Sequence, residues 1–152
     1  MLIHSSSQLL TLKGGPQRGH ALGTLGIIED GAVVIHDEKI IAVGTTPELK
    51  ASYPDEPTLD ASGCVLMPGF VDPHTHLIWA GDRADEFEKK MSGVPYLDIL
   101  AAGGGIISTV RQTRAASMET LITQSRSRLL RMFIHGTTTA EAKTGYGLTA
   151  AS

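Results

Sequence analysis

The stretch that decides the fold is PGFVDPHTHLIWAGDR, Pro68–Arg83, in which an apolar run ends in two histidines separated by one residue. The run has the composition of a short strand, and His74 and His76 lie at its end. Side chains two positions apart in a strand point to the same face, so both imidazoles can converge on one ion. The pattern predicts that His74 and His76 are metal ligands. The alternative is that they are hydrogen-bonded polar residues at a strand end.

Upstream of this stretch, residues 1–67 have the pattern of a small β domain. Two β-branched runs, Ala32–Ile35 and Lys39–Val43, flank the polar sequence HDEK and predict a hairpin. Another short apolar strand is expected directly before Pro68. The proline-rich segment between them predicts a loop with about one helical turn.

Downstream, residues 68–152 spell strand, helices, strand. Short helices are predicted at 84–91 and 94–102, followed by a longer helix with Ser117 as its N-cap and Gly136 just past its end. The β-branched segment TTTAEAKTG then predicts a second strand. Two consecutive strands joined by a helical crossover imply a parallel sheet, so the fold class is α/β.

The long predicted helix carries one apolar side and three arginines. The apolar residues at helical spacing are Met118, Leu121, Ile122, Leu129, Met132 and Phe133. Arg126, Arg128 and Arg131 are expected to be solvated.

Composition excludes several classes of function. The chain of 152 residues carries 13 Lys and Arg against 16 Asp and Glu, with no basic cluster, which argues against binding to nucleic acid or an anionic membrane. No apolar run reaches the ~18–20 residues of a membrane span, and the N-terminus lacks the features of a signal peptide. The single cysteine, Cys64, is expected to be a small buried residue and fits a reducing compartment. A cytoplasmic protein acting on a small molecule is predicted.

The motifs on either side of the histidines resemble a known family. PGFVDPHTHL resembles the first barrel strand of the metal-dependent amidohydrolase superfamily, which follows a small β-sandwich. AGDR with the later EF, then GGGI, and finally TAEAKTGYGL are similar to the imidazolonepropionase family, and the resemblance is strongest over 64–149. It implies part of a β-sandwich over 1–67, then an amidohydrolase-type (β/α)₈ barrel starting at 68–152. A complete barrel needs about 250 residues, so the chain is expected to be a truncated N-terminal piece.

The resemblance also implies a reaction and site residues. The family hydrolyses 4-imidazolone-5-propanoate to N-formimidoyl-L-glutamate in histidine degradation, with one Zn²⁺ or Fe³⁺ ion. His74 and His76 match two metal ligands, and Arg83 and Tyr146 match residues that bind the anionic imidazolone. The family's other ligands and its acid/base residues lie on later strands, beyond Ser152. The chain alone is therefore expected to be inactive and to bind metal weakly.

Other interpretations stay open on the residues alone. Arg83 could be a surface residue paired with Asp82 or Asp85, and Tyr146 a packing residue. The chain could belong to another cyclic amidohydrolase or an aminohydrolase on the same scaffold, such as a hydantoinase-like or guanine-deaminase-like enzyme. It could also be a non-catalytic fragment that binds a partner chain. A homodimer is compatible with each of these.

Overall fold

The computed structural model describes residues 1–149. The chain divides into two compact units, Met1–Pro68 and Gly69–Ser152, the second described through residue 149. No helix among residues 1–149 is long and apolar enough to cross a membrane.

The first unit is built on a five-stranded sheet in the order β3-β2-β1-β4, with β5 also paired to β1. Its strands are β1 Leu2–Leu10, β2 Ile27–His36, β3 Lys39–Thr45, β4 Thr58–Asp60 and β5 Val65–Leu66. A short 3-10 helix, Gly19–Ala21, lies between β1 and β2. Strands β1, β2 and β3 are successive antiparallel neighbours, whereas β4 and β5 run parallel to β1.

The predicted hairpin is confirmed as β2–β3. Its turn is tighter than the four-residue HDEK segment, because His36 and Lys39 already pair and only Asp37 and Glu38 connect the strands. Both turn residues have positive φ, 47° and 64°. Two left-handed residues give the backbone twist that joins antiparallel strands most closely.

A small apolar core closes the first unit. Leu2, Ala32, Val34 and Leu49 are buried together. Leu49 comes from helix α1, Thr46–Ser52, where the sequence predicted a loop with about one turn. The helix is longer because Thr45 and Glu48 form a reciprocal capping box and Leu49 gains burial against the sheet.

The burial of single residues in the first unit depends on their place in the sheet. His4 is buried on β1, with its Nδ1 2.8 Å from Ser5 Oγ. Cys64, expected to be buried, is exposed, because it lies in the turn that leads into β5. Local polarity around a residue did not reveal which face of the sheet it occupies.

The second unit contains the predicted parallel strand pair. Its strands are β6 Phe70–Thr75 and β7 Thr137–Ala142, and its helices are α2 Ala84–Met91, α3 Tyr96–Ala101, α4 Ile106–Ala115 and α5 Met118–Ile134. Helix α4 was not predicted, since three glycines precede it and β-branched residues occur within it. The ends of α5 are as predicted: Ser117 Oγ accepts from the Thr120 amide at 3.1 Å, and Gly136 follows the helix with φ 94°.

Candidate active site

Strand β6 is irregular where the two histidines lie. Its register with β7 shifts between Asp72 and Thr75, so Pro73 and His74 have no ladder partners. The Asp72 carboxylate accepts from the His74 amide at 3.1 Å. The strand is secured again at Thr75, whose hydroxyl donates to the Glu141 carbonyl at 2.9 Å. His74 therefore lies on a bulge and His76 just past the strand end.

The structure brings three predicted site residues together. The rings of His74 and His76 have centroids 5.4 Å apart and meet edge-on, at 68°. The centroid of the Tyr146 ring lies 5.3 Å from that of His76, with the two rings tilted by 55°. Because His74 lies on the bulge and His76 past the strand end, regular strand alternation is not what places these rings as neighbours.

The ring of His76 is seated against the backbone of the β7 exit loop. Its Nδ1 atom is buried and has no hydrogen-bond partner in the described part of the chain. A Cβ atom added to Gly145 would lie 2.4 Å from that nitrogen. Gly145 is therefore required by the close approach of the imidazole, and not by an unusual backbone angle.

The histidine pair fits part of a metal site. Two neighbouring imidazoles, one with an unpaired buried nitrogen, are suitable nitrogen ligands. A catalytic zinc usually takes three protein ligands and a water molecule. Residues 1–149 contain no group of three or more His, Cys, Asp or Glu side chains placed to hold a metal ion. Among the described residues, the histidine pair therefore has no third candidate ligand placed beside it.

Arg83 precedes α2 and pairs with Glu86, not with the Asp82 or Asp85 that the sequence suggested as surface partners. Its Nε and Nη2 atoms donate to Glu86 Oε2 at 2.9 and 2.6 Å. Asp82 instead accepts from the amide of Ala84, the first residue of α2, at 3.0 Å. The Arg83 side chain remains 43% exposed, so its guanidinium is accessible.

The surroundings of Arg83 are set by Glu86. The pKa of Arg83 is raised, first by its hydrogen bond to Glu86. Arg83 and Glu86 line a small cleft together with Tyr96 and Ile99. Tyr146 lines a different cleft, so the structure does not place the two predicted substrate-binding residues on one cleft wall.

A cleft of about 770 Å³ opens beside Tyr146. Its walls include Ile78 and Leu121, and the loop from Lys143 to Gly147 forms another side. Arg114 secures that loop by donating from Nε to the Gly147 carbonyl at 2.8 Å. A volume of this order suits a small organic molecule.

Comparison with known sequences supports the family resemblance. A model described as imidazolonepropionase-like composite domain, bacteria, matches residues 31–55, and an amidohydrolase family model matches 57–95. Imidazolonepropionases of Chloroflexus aggregans and Halobacterium salinarum are each 48% identical over 150 residues, which is 97% of this chain. The imidazolonepropionase of Symbiobacterium thermophilum is 46% identical over 99% of the chain. The chain is similar to imidazolonepropionases over nearly its whole length. It spans 35% to 36% of the length of these three relatives.

Solved structures share the α/β fold of this chain. Escherichia coli guanine deaminase matches with a TM-score of 0.63 at 20% identity, over 93% of this chain and 30% of its own. Helicobacter pylori aminofutalosine deaminase gives 0.57 at 19% identity, over 93% and 29%. A mutant of the atrazine chlorohydrolase TrzN of Arthrobacter aurescens, complexed with zinc and atraton, gives 0.54 at 21% identity, over 98% and 30%. At these identities the likeness concerns the fold alone.

One residue beside the candidate site was not recognised from the sequence. Arg128 on α5, expected to be solvated, donates from Nη1 to the carbonyls of Leu77 and Trp79 at 3.0 and 2.8 Å. Its guanidinium lies 3.6 Å from the centre of the Trp79 ring, and burial lowers its pKa. Arg128 thereby fixes the backbone that directly follows His76. The three arginines lie within one short segment, RSRLLR, so helical spacing alone did not distinguish Arg128 from the other two.

Proposed function

We propose that the chain forms part of an imidazolonepropionase that hydrolyses the cyclic amide of 4-imidazolone-5-propanoate to N-formimidoyl-L-glutamate. The observation that carries the proposal is that the His76 ring contacts the rings of both His74 and Tyr146. This arrangement occurs in a chain 48% identical to imidazolonepropionases over nearly its whole length.

In the proposed enzyme His74 and His76 are two ligands of one zinc or iron ion. When bound, the ion supplies an activated water molecule and polarises the carbonyl under attack. The bulge at Pro73–His74 and the backbone of Gly145 hold the two rings as neighbours, which reduces the ordering cost of binding the ion. The remaining ligands and the acid/base groups come from parts of the enzyme outside this chain.

Arg83 and Tyr146 bind the substrate. A guanidinium presents parallel N–H donors that match the two oxygens of a carboxylate, so Arg83 suits the propanoate group. The Tyr146 hydroxyl can donate to the same carboxylate or to the ring oxygen. The neighbouring cleft, with its apolar walls, accommodates the rest of the molecule and limits its contact with water.

The two units correspond in this proposal to part of a β-sandwich, residues 1–67, and the start of a (β/α)₈ barrel, residues 68–152. The parallel pairing of β6 and β7, with four helices between them, supports the second assignment. Both histidines and Tyr146 follow or end these strands, at the edge where such barrels carry their chemistry. We place the enzyme in the cytoplasm, where the exposed single thiol of Cys64 would stay reduced.

The test is Arg83→Ala in the full-length enzyme. Loss of charge-assisted hydrogen bonds to the carboxylate should raise KM for 4-imidazolone-5-propanoate by about 10- to 100-fold. Arg126→Ala, which removes an exposed arginine from α5, is the matched control and should leave KM unchanged. If Arg83→Ala has wild-type kinetics, the rival assignment to another cyclic amidohydrolase gains support.

A further inference from the structure

Glu86, in the first turn of α2, accepts hydrogen bonds from three N–H groups. Its Oε2 atom accepts from Arg83 Nε and Nη2 at 2.9 and 2.6 Å, and its Oε1 atom accepts from the Gly105 amide at 2.9 Å. Its side chain is 14% exposed, against 43% for Arg83. Glu86 is therefore the fixed member of the pair, and Arg83 is the longer, more accessible one.

The glycine-rich turn before α4 is what brings a backbone amide to this carboxylate. Gly105 has φ 74°, a left-handed conformation that glycine adopts without strain. A Cβ atom on Gly104 would lie 2.8 Å from the Ile99 carbonyl oxygen and 3.1 Å from the carboxyl carbon of Glu86. The GGGI motif thus forms a close backbone support for Glu86.

The contact with Glu86 leaves one edge of the Arg83 guanidinium available. Arginine has five N–H donors in a rigid plane, and Glu86 occupies one on Nε and one on Nη2. Within residues 1–149 no hydrogen bond from Nη1 is present. The edge formed by Nη1 and the second Nη2 proton is therefore oriented and unengaged, and its geometry matches a carboxylate.

We propose that Glu86 is a positioning residue, which holds Arg83 so that its Nη1/Nη2 edge binds the carboxylate of an anionic imidazolone. The proposal rests on the proposed function, in which Arg83 binds the substrate. In this arrangement the Glu86 carboxylate, supported by the glycine turn, helps to select the substrate. Substrates with an acidic side chain are favoured over neutral cyclic amides.

Two effects of Glu86 on the substrate oppose each other. Its negative charge repels the substrate carboxylate, whereas its hydrogen bonds remove the rotamer freedom that Arg83 would otherwise lose on binding. The charge of Glu86 is already engaged by the adjacent guanidinium and the Gly105 amide, so its effect on a more distant anion is weakened. We expect orientation to dominate, so that loss of Glu86 raises KM.

Glu86→Gln in the full-length enzyme tests this directly. A carboxamide has one acceptor oxygen, and its NH₂ group would face an N–H donor of Arg83 or Gly105, so the three hydrogen bonds cannot all persist. We expect KM for 4-imidazolone-5-propanoate to rise about tenfold while kcat changes by less than about threefold. Asp85→Asn makes the same charge change in the same helical turn, without a hydrogen bond to Arg83, and should keep the wild-type KM.

Combination with Arg83→Ala separates positioning from a general structural role. If Glu86 acts through Arg83, adding Glu86→Gln to Arg83→Ala should not raise KM further. A further rise of similar size, or an equal fall of kcat, would show a structural role and overturn the proposal. If Glu86→Gln fails to fold, Glu86→Asp, which keeps the charge but shortens the reach, must show the same selective rise in KM.

The outcomes also distinguish this inference from the proposed function. A wild-type enzyme that does not hydrolyse 4-imidazolone-5-propanoate contradicts the proposed function itself. An active wild type in which Arg83→Ala raises KM but Glu86→Gln leaves it unchanged, or lowers it, overturns only the role of Glu86.

Discussion

The two units of the chain bury their apolar side chains to different extents. In Met1–Pro68 the sheet and α1 enclose a core in which Leu2 is 1% exposed and Val34 is fully buried. In the second unit Val71 on β6 is 66% exposed and Phe133 on α5 is 65% exposed. Helix α5 has no buried residue over its full length. The predicted apolar side of α5 is present in the sequence but remains largely uncovered in the described chain.

The well-buried apolar core and the candidate site therefore lie in different units. The first unit contributes none of the candidate site residues, whereas the second holds His74, His76, Arg83 and Tyr146 on strand ends and loops. Parallel sheets normally have both faces covered. Under the proposed function, further barrel strands and helices would cover the exposed faces of β6 and α5.

The largest effect is expected from the histidines of the second unit. His76→Ala in the full-length enzyme removes a proposed metal ligand, so bound metal should fall and kcat should drop on the order of 100- to 1000-fold. Elemental analysis and steady-state kinetics measure both. His36→Ala, at the exposed hairpin turn of the first unit, is the control and should keep metal and activity. Equal losses in both variants would remove the functional distinction between the units.

The next effect concerns backbone space beside His76. Gly145→Ala places a Cβ atom 2.4 Å from the imidazole, so the ring must move. A displacement of this kind should lower kcat about 100-fold, with reduced metal content. Gly44→Ala in β3 is the counterpart in the first unit, since its new Cβ would lie 3.2 Å from Glu48 Oε2 and 3.5 Å from the Leu49 side chain, far from the histidine pair in sequence and without the 2.4 Å overlap. Wild-type activity in Gly145→Ala would show that the His76 ring can occupy another position and still function.

Core truncations sharpen the contrast in packing. Leu2→Ala should cost the first unit about 2–5 kcal/mol, as measured by urea unfolding followed by circular dichroism. Phe133→Ala in the 152-residue chain should cost less than about 1 kcal/mol, because the ring is mostly exposed. The single tryptophan, Trp79, reports on the second unit by fluorescence. A cost of about 3 kcal/mol for Phe133→Ala in the full-length enzyme alone would show that its neighbours there bury α5.

The smallest expected effect concerns how the folding stability of the first unit falls at acidic pH. The pKa of Glu56 is lowered, first by the hydrogen bond from the N-terminal amine and then by His36. A carboxyl group with a lowered pKa in the folded state contributes stability above its ordinary pKa of 4.5 and loses it as the pH falls through the folded value. Glu56→Gln should therefore flatten the decline in unfolding midpoint below about pH 5. An unchanged slope would show that the ion pair contributes nothing measurable.

Local patterns predicted the elements well where each is self-contained. The β2–β3 hairpin, the capped ends of α5 and the parallel pairing of β6 with β7 follow from turn residues, caps and strand composition. Prediction failed where a distant contact decided the outcome. Helix α1 is longer than expected because Leu49 reaches the core, and Arg128 is partly buried because Trp79 lies beneath it.

The sequence by itself determined that two histidines lie at the end of a strand and that a second parallel strand follows. Through a family resemblance it also predicted that Arg83 and Tyr146 belong to the same site. Only the tertiary structure decided which atoms meet. It paired Arg83 with Glu86, placed the His76 ring on Gly145, and brought the Gly105 amide to the same carboxylate. Spacing encodes periodicity within one element, whereas these contacts depend on how the chain returns to itself, which no local pattern specifies.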